Sequence, residues 1–274
     1  TGNTYHNFPI LSAFGGYIFG RNEDGTFNTA DLGLTSEGGR AAYDWLSGMY
    51  NDGLMVPDVN DDVVFSLFES GDLAMFVTGP WFSERIVNTG QPYAISAMPG
   101  VEGVTENGAP FAGGQGFVIS AFSENQLLAE SFLLDFLATE EAMSALTAAG
   151  ESGIYARFPV FEGIDTASDP NIEGFIAAGA NSIPMPAIPE MGAVWSSSDN
   201  ALTLISTGED PVAAMDNAVA QIADAIELQQ SESAVVGVPG SYQAAVGCAQ
   251  DWDPACPETL MTDNGDGTFS LTVT

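Results

Sequence analysis

Lysine is absent from the 274 residues, and four arginines (Arg21, Arg40, Arg85 and Arg157) face 37 acidic side chains, for a net charge of −33. Contact with a phosphate backbone needs Lys or Arg, so this balance argues strongly against nucleic-acid binding and disfavours an anionic membrane surface. Strong negative charge keeps a chain soluble and monomeric, and it is compatible with a saline or extracellular setting. Histidine occurs once, at His6. A Ser-His-Asp or Cys-His system would have to use that residue, and no G-x-S-x-G elbow accompanies it, so the chain reads as a non-enzyme. There is no run of about 18 apolar residues and no charged-then-apolar leader. The chain opens at Thr1 without Met and closes on a strand-like stretch from Thr268 to Thr274, the pattern of a processed protein or a fragment. Two cysteines, Cys248 and Cys256, lie close together without a histidine neighbour, which argues against zinc. A local disulfide closing a short loop is preferred to free thiols and implies an oxidising compartment.

What is present is an alternation of strand and helix signals, which argues for an α/β fold. Residues 9–27 read as a turn-rich entry and then a hairpin whose turn is Asn22-Glu23-Asp24-Gly25. Turn chemistry explains Asp24 better than metal ligation does. Thr35-Ser36-Glu37 starts a helix in which Ala41, Trp45, Leu46, Met49 and Tyr50 recur at helical spacing, so Trp45 and Met49 are expected in the core; Gly53 ends it. Val63 to Ser70 is a short helix with Phe65 and Phe68 on one side. The apolar run Leu73-Ala74-Met75-Phe76-Val77 reads as a buried strand that delivers Thr78-Gly79-Pro80-Trp81 at its C-terminal end. Gly113-Gly114-Gln115-Gly116 enters a strand at Phe117-Val118-Ile119-Ser120; with no Lys after it, this is no phosphate loop. Helices follow at 123–137, 139–149, 170–180, 188–206 and 211–228. Acidic turns at Asp251-Trp252-Asp253 and Asp263–Asp266 read as Asx turns in preference to calcium sites. No cofactor or metal is implied.

Two tryptophan segments stand out. One is Thr78-Gly79-Pro80-Trp81; the other runs from Met185-Pro186 through Glu190-Met191 to Trp195. Both carry Pro or Gly beside an indole, which places the ring in a loop at the mouth of a helix. With Tyr5 they form a candidate stacking platform for a flat, uncharged, polar ligand such as a sugar ring, whose C–H face packs on an aromatic while its hydroxyls bond at the edge. Asn3, His6, Gln115 and Glu190 are candidates to bond those hydroxyls, and Met185 adds a soft apolar surface.

At these residues the chain resembles the extracellular solute-binding proteins of ABC transporters, in the maltose/maltodextrin-binding branch. The words run in order over residues 1–230: Tyr5 through Phe8-Pro9, Gly15-Gly16-Tyr17, Gly71-Asp72-Leu73-Ala74-Met75 with Thr78-Gly79-Pro80-Trp81, then Met185-Pro186, Ile188-Pro189 and Met191 to Trp195. The resemblance implies a two-lobe, periplasmic-binding-protein-like fold that closes around sugar. Tyr5, Trp81 and Trp195 would stack on glucose rings, and Met185 would line the same cleft. It further implies an α-glucan ligand, a permease partner, an extracellular or periplasmic location, and anchoring to the membrane through a segment preceding Thr1. Two positions depart from the family: its acidic residue before the first cleft tyrosine corresponds to Asn3, and its arginine after the last tryptophan corresponds to Asp199.

The tail resembles a second family. Cys248-x-x-Asp251-Trp252-Asp253-Pro254-x-Cys256 looks like the start of a β-sandwich module of secreted pullulanases and amylases, which supports the disulfide. The expected organisation is therefore an incomplete solute-binding domain at 1–231 (1–115 and 166–231 mostly the C-terminal lobe, 118–165 part of the other lobe), a linker at 232–240 and a beginning β-module at 241–274. The expected function is capture of a maltodextrin-type sugar for an ABC transporter; the alternative is a glucan-recognition part of a larger starch-degrading enzyme.

Overall fold

The computed structural model describes residues 3–114, 116–148, 170–233, 241, 243–250, 252, 256–263 and 269–271. Its main core lies among helix α1 (Thr4–Ala13), the hairpin β1–β2 (Phe19–Arg21, Phe27–Leu32), α2 (Glu37–Asn51), α8 (Met191–Ser206) and α9 (Pro211–Ser233). Leu34, Leu46, Val194, Ile205, Met215 and Ile222 are all fully enclosed there. Local signals set the helix starts. Ser36 accepts the Gly39 N–H at 3.1 Å, Asn60 accepts Val63 N–H at 3.0 Å to begin α3 (Asp61–Ser70), and Asp210 accepts Ala213 N–H at 2.8 Å with Pro211 behind it. Gly71 ends α3 with φ 82°, a conformation open to glycine. Gly38 and Gly39 let α2 begin against neighbouring backbone: a Cβ on either would overlap a carbonyl oxygen, of Phe14 or of Leu34.

The hairpin forms at the expected turn. Asp24 accepts the Thr26 hydroxyl at 2.6 Å and the Thr26 N–H at 2.9 Å, and these bonds hold its carboxyl below the usual carboxylate range, so turn chemistry accounts for it. Elsewhere the sheets are minimal: β3 (Met98–Pro99) pairs antiparallel with β4 (Asn107–Gly108), and β5 (Phe111–Ala112) pairs parallel with β6 (Ile183–Pro184). A second cluster of Phe65, Phe82 and Ile86 joins α3 to α4 (Ser83–Asn88), with the Arg85 guanidinium 4.0 Å over the Phe65 ring.

Several expectations are corrected. The entry before Gly15 is not a turn-rich stretch but helix α1, started by the Asn3 cap and carrying Pro9 inside it. Trp45 is 42% exposed and not core, because the buried stripe of α2 is Gly39, Ala42, Tyr43 and Leu46, with Trp45 beside it against Phe14. Residues 73–77 and 117–120 form no strand, and Met75 and Val118 are 84% and 93% exposed. A strand needs a hydrogen-bonding neighbour, and among the described residues neither run pairs with another strand. The helix expected at 123–137 is α5 (Gln126–Ser131) running into a π-helical stretch (Phe132–Leu137), followed by α6 (Glu140–Ala148) and α7 (Pro170–Gly179). Among the described residues no helix is long and apolar enough to cross a membrane.

In the tail, Cys248 and Cys256 are joined by a disulfide beside a buried Gln243 to Thr259 hydrogen bond of 2.8 Å. Both sulfurs of the grouping Cys248, Cys256 and Glu258 are therefore committed and offer no thiolate to a metal. Strands β7 (Thr262–Asp263) and β8 (Phe269–Ser270) pair antiparallel. The rest of the expected turn after Asp263, and Asp251 and Asp253, lie outside the described residues.

One side chain links α1 to β5. The Ser12 hydroxyl accepts the Ala109 N–H at 2.7 Å and lies 2.9 Å from the Ala109 carbonyl, in a buried position. Ser12→Ala orphans both backbone groups, so chemical denaturation should show a loss of roughly 1–3 kcal/mol; a loss below the low end of that range would mean that water replaces the hydroxyl.

Candidate functional site

Tyr5 is the second residue of α1, and its position follows from the Asn3 cap, whose Oδ1 accepts the His6 N–H at 3.2 Å. Trp81 lies in a 3-10 turn (Pro80–Phe82). Its indole folds back over Gly79, where any Cβ would overlap the ring. Trp195 is in the first turns of α8. The loop placement expected for the three aromatics is thus corrected: two are helical, and Trp81 sits in a single tight turn, because the Asn3 cap starts α1 just ahead of Tyr5, α8 begins at Met191 ahead of Trp195, and Pro80 opens the turn.

The rings form a connected series. Tyr5 and Trp81 have centroids 6.0 Å apart, and His6 is 5.8 Å from each. Tyr5 is 5.7 Å from Phe111, and Phe111 is 6.4 Å from Trp195. Phe111, which the sequence reading missed, stacks face to face on Phe8 at 3.7 Å and is the shared buried base. Its only sequence signal is an aromatic just ahead of Gly113-Gly114. Met185 joins the same region through its N–H to the Ala112 carbonyl at 3.3 Å and is 38% exposed, while Trp81 is 53% exposed. A Cβ on Gly113 would lie 3.9 Å from the Tyr5 hydroxyl, so backbone passes close to that ring.

The polar groups divide. Asn3 is spent as a helix cap. Glu190 immediately precedes α8 and is partly buried, with no side-chain cap bond to that helix. Gln115 lies outside the described residues. His6, by contrast, is inside the ring cluster with neither ring nitrogen hydrogen-bonded. The other buried side-chain atoms without a partner among the described residues are the hydroxyls of Thr4, Thr78, Ser83 and Ser198. All five residues flank Tyr5, Trp81 or Trp195 in sequence, Ser198 by one helical turn. A buried polar atom without a partner calls for water or a ligand; here each belongs to a residue within three positions of one of the three rings, and His6 is itself in ring contact with Tyr5 and Trp81. A separate cavity of about 430 Å³ lies behind Phe111, among Phe8, Phe19, Phe27, Pro184 and Pro186. It includes none of Tyr5, Trp81 or Trp195, so the ring series, not that cavity, is the candidate site.

Burial pushes the His6 imidazole below its ordinary value of 6.5, and the Asp61 carboxylate, 3.9 Å from Nδ1, pulls it partly back. The folded state therefore binds this proton at lower pH than the unfolded chain does. Neutral His6 contributes stability above pH 6.5, and that contribution is lost as the pH falls from there through the folded value. As His6 is the only histidine, its imidazole resonances are unambiguous. NMR titration should give a midpoint below 6.5, and Asp61→Asn should lower it further; a midpoint at or above 6.5 would mean that the ring is hydrated.

The family model of the bacterial extracellular solute-binding proteins matches residues 1–173, and that of the pullulanase X25 domain matches residues 235–274. The galactooligosaccharide-binding protein of Bacillus subtilis (strain 168) is 33% identical over 238 residues, covering 83% of this chain and 54% of that protein. The maltodextrin-binding protein of the same strain is 26% identical over 209 residues, covering 75% and 49%. The solved structure of a cyclo/maltodextrin-binding protein complexed with maltotetraose is similar with a TM-score of 0.69 at 26% identity, over 82% of this chain and 57% of that one. The chain spans about half the length of the curated relatives it matches. The fold is the periplasmic-binding-protein-like α/β type that the sequence implied. By the match over residues 1–173, the chain belongs to the bacterial extracellular solute-binding protein family.

Proposed function

We propose that this chain supplies one wall of a cleft that captures an oligosaccharide, of the maltodextrin type, for delivery to an ABC transporter outside the cytoplasm. The observation that carries this reading is the coincidence of the ring series with the partnerless buried polar groups. Rings bind the apolar face of a sugar, and hydroxyls and imidazole nitrogens bind its edge. The relatives named above support a sugar as the ligand class, and the structure complexed with maltotetraose supports a glucan. With Tyr5, Trp81, Met185 and Trp195 as the stacking surface, His6 is the best-placed polar contact of those read from the sequence.

The proposed domain division has residues 1–115 and 166–231 in one lobe and 118–165 in the other. Its support is the exposed apolar surface of the described part of that segment: Val118, Phe122, Leu127, Leu128 and Phe136 are all strongly exposed. Such a surface is completed by packing against further protein. A second reading, a glucan-recognition part of a secreted starch-degrading enzyme, is favoured by the X25 match at residues 235–274. In that case the natural polypeptide hydrolyses glucans; in the first it binds them unchanged.

Tryptophan fluorescence titrated with maltotriose, and in parallel with a galactooligosaccharide, tests the proposal. A saturable change with maltotriose is expected, with Trp81→Ala and Trp195→Ala each weakening it roughly tenfold or more. A response to the galactooligosaccharide alone would overturn the glucan assignment, and a response to neither would overturn the sugar reading for this chain.

A further inference from the structure

The first backbone N–H of α1 does not end in water. Thr4 N–H donates to Oδ1 of Asp199 at 2.7 Å, across 195 positions of sequence. Thr4 is the first helical residue after the Asn3 cap, and the first turn of α1 holds no acidic residue of its own. The positive end of this helix therefore takes its negative partner from α8. Among the described residues Asp199 enters none of the ion pairs, which use Asp61, Asp62 and Asp216. Its carboxylate serves the helix end.

The placement matters for the rings. Asp199 stands one turn beyond Trp195, so the two lie on the same side of α8. Tyr5 directly follows Thr4. One charge-assisted bond thus ties the residue ahead of one ring to the residue one turn past the other. Both rings also touch Phe111, Tyr5 at 5.7 Å and Trp195 at 6.4 Å. With Phe111 as a common pivot, α1 can swing relative to α8 only by breaking this bond. Thr4 and Ser198 around it are almost fully buried, so water competes poorly for either partner.

We propose that Asp199 is a positioning residue for the sugar platform: by capping α1 it sets the spacing of Tyr5 and Trp195, and through it the affinity for a glucan. This rests on the sugar-binding reading above. The bond has two ends, and each can be removed. Asp199→Ala deletes the acceptor and Asp199→Asn keeps one. Thr4→Pro deletes the N–H together with the Thr4 side chain, at a helix position that accepts proline, behind an Asn3 already extended at φ −123° and ψ 116°, and Thr4→Ala, which loses the hydroxyl but keeps the N–H, is its control.

These variants and the Thr4→Pro/Asp199→Ala double variant are compared by maltotriose titration and by amide hydrogen exchange of the α1 segment without sugar. Asp199→Ala and Thr4→Pro should each weaken maltotriose binding by about tenfold, the double variant no more than the weaker single, and Asp199→Asn by about twofold or less. Exchange at the start of α1 should speed up in Asp199→Ala and stay near wild type in Asp199→Asn. Equal losses in the Ala and Asn variants, additive losses in the double variant, or unchanged affinity in all would overturn the proposal. If circular dichroism shows Asp199→Ala unfolded, Thr4→Pro against Asp199→Asn makes the same comparison. If the unaltered chain binds no sugar, the sugar reading falls, and the positioning role in affinity falls with it; exchange then decides only whether Asp199 holds α1.

Discussion

The face-to-face contact of Phe8 with Phe111, 3.7 Å between centroids, is the interaction on which the candidate site depends. Phe8 belongs to α1 and Phe111 to β5, whose parallel partner β6 runs on to Met185 and then to α8. One buried ring pair therefore settles where Tyr5, Met185 and Trp195 stand relative to one another. Aromatic pairs of this size combine large apolar burial with a preferred geometry, which makes them suited to locating elements as well as stabilising them. Ser12 reinforces the same junction by satisfying both backbone groups of Ala109, two residues ahead of Phe111.

Trp81 is held differently. It hangs from the smaller cluster of Phe65, Phe82 and Ile86 and reaches the ring series through Tyr5 and His6. The site thus joins a part fixed by the main core to a part fixed by a satellite cluster. His6 lies at the seam, between both rings and Asp61, which is why its proton affinity reports on how dry that seam is.

Charge enters mostly by its scarcity. Arg21 lies 3.8 Å over the Phe27 ring, Arg40 pairs with Asp216, and Arg85 divides itself between Asp62 and two phenylalanines. Arg157 lies outside the described residues. Exposed pairs of this kind contribute little to stability, and the net charge of −33 that four arginines leave is moderated by salt screening. A site built from rings and neutral hydrogen-bonding groups does not need the missing cations.

Much of the local structure was legible from residue order. Ser36 and Pro211 marked helix starts, Asn22 to Gly25 marked the hairpin, and the tryptophan segments marked the candidate site, because caps, turns and ring-bearing motifs act within a few residues. The apolar runs at 73–77 and 117–120 misled, since an apolar run is a strand only when another segment supplies its hydrogen bonds. Pro9 and Gly15-Gly16 made α1 look like a turn, although the Asn3 cap and the distant Asp199 carboxylate hold its first turn as helix. The sequence by itself determined the charge balance, the hairpin turn and the helix starts at Ser36 and Pro211, and it offered Tyr5, Trp81 and Trp195 as candidate site aromatics. Only the tertiary structure decided that Phe111 is their shared base and that Asp199 faces a helix end. Those facts rest on contacts between residues far apart in the chain, and no local spacing encodes them.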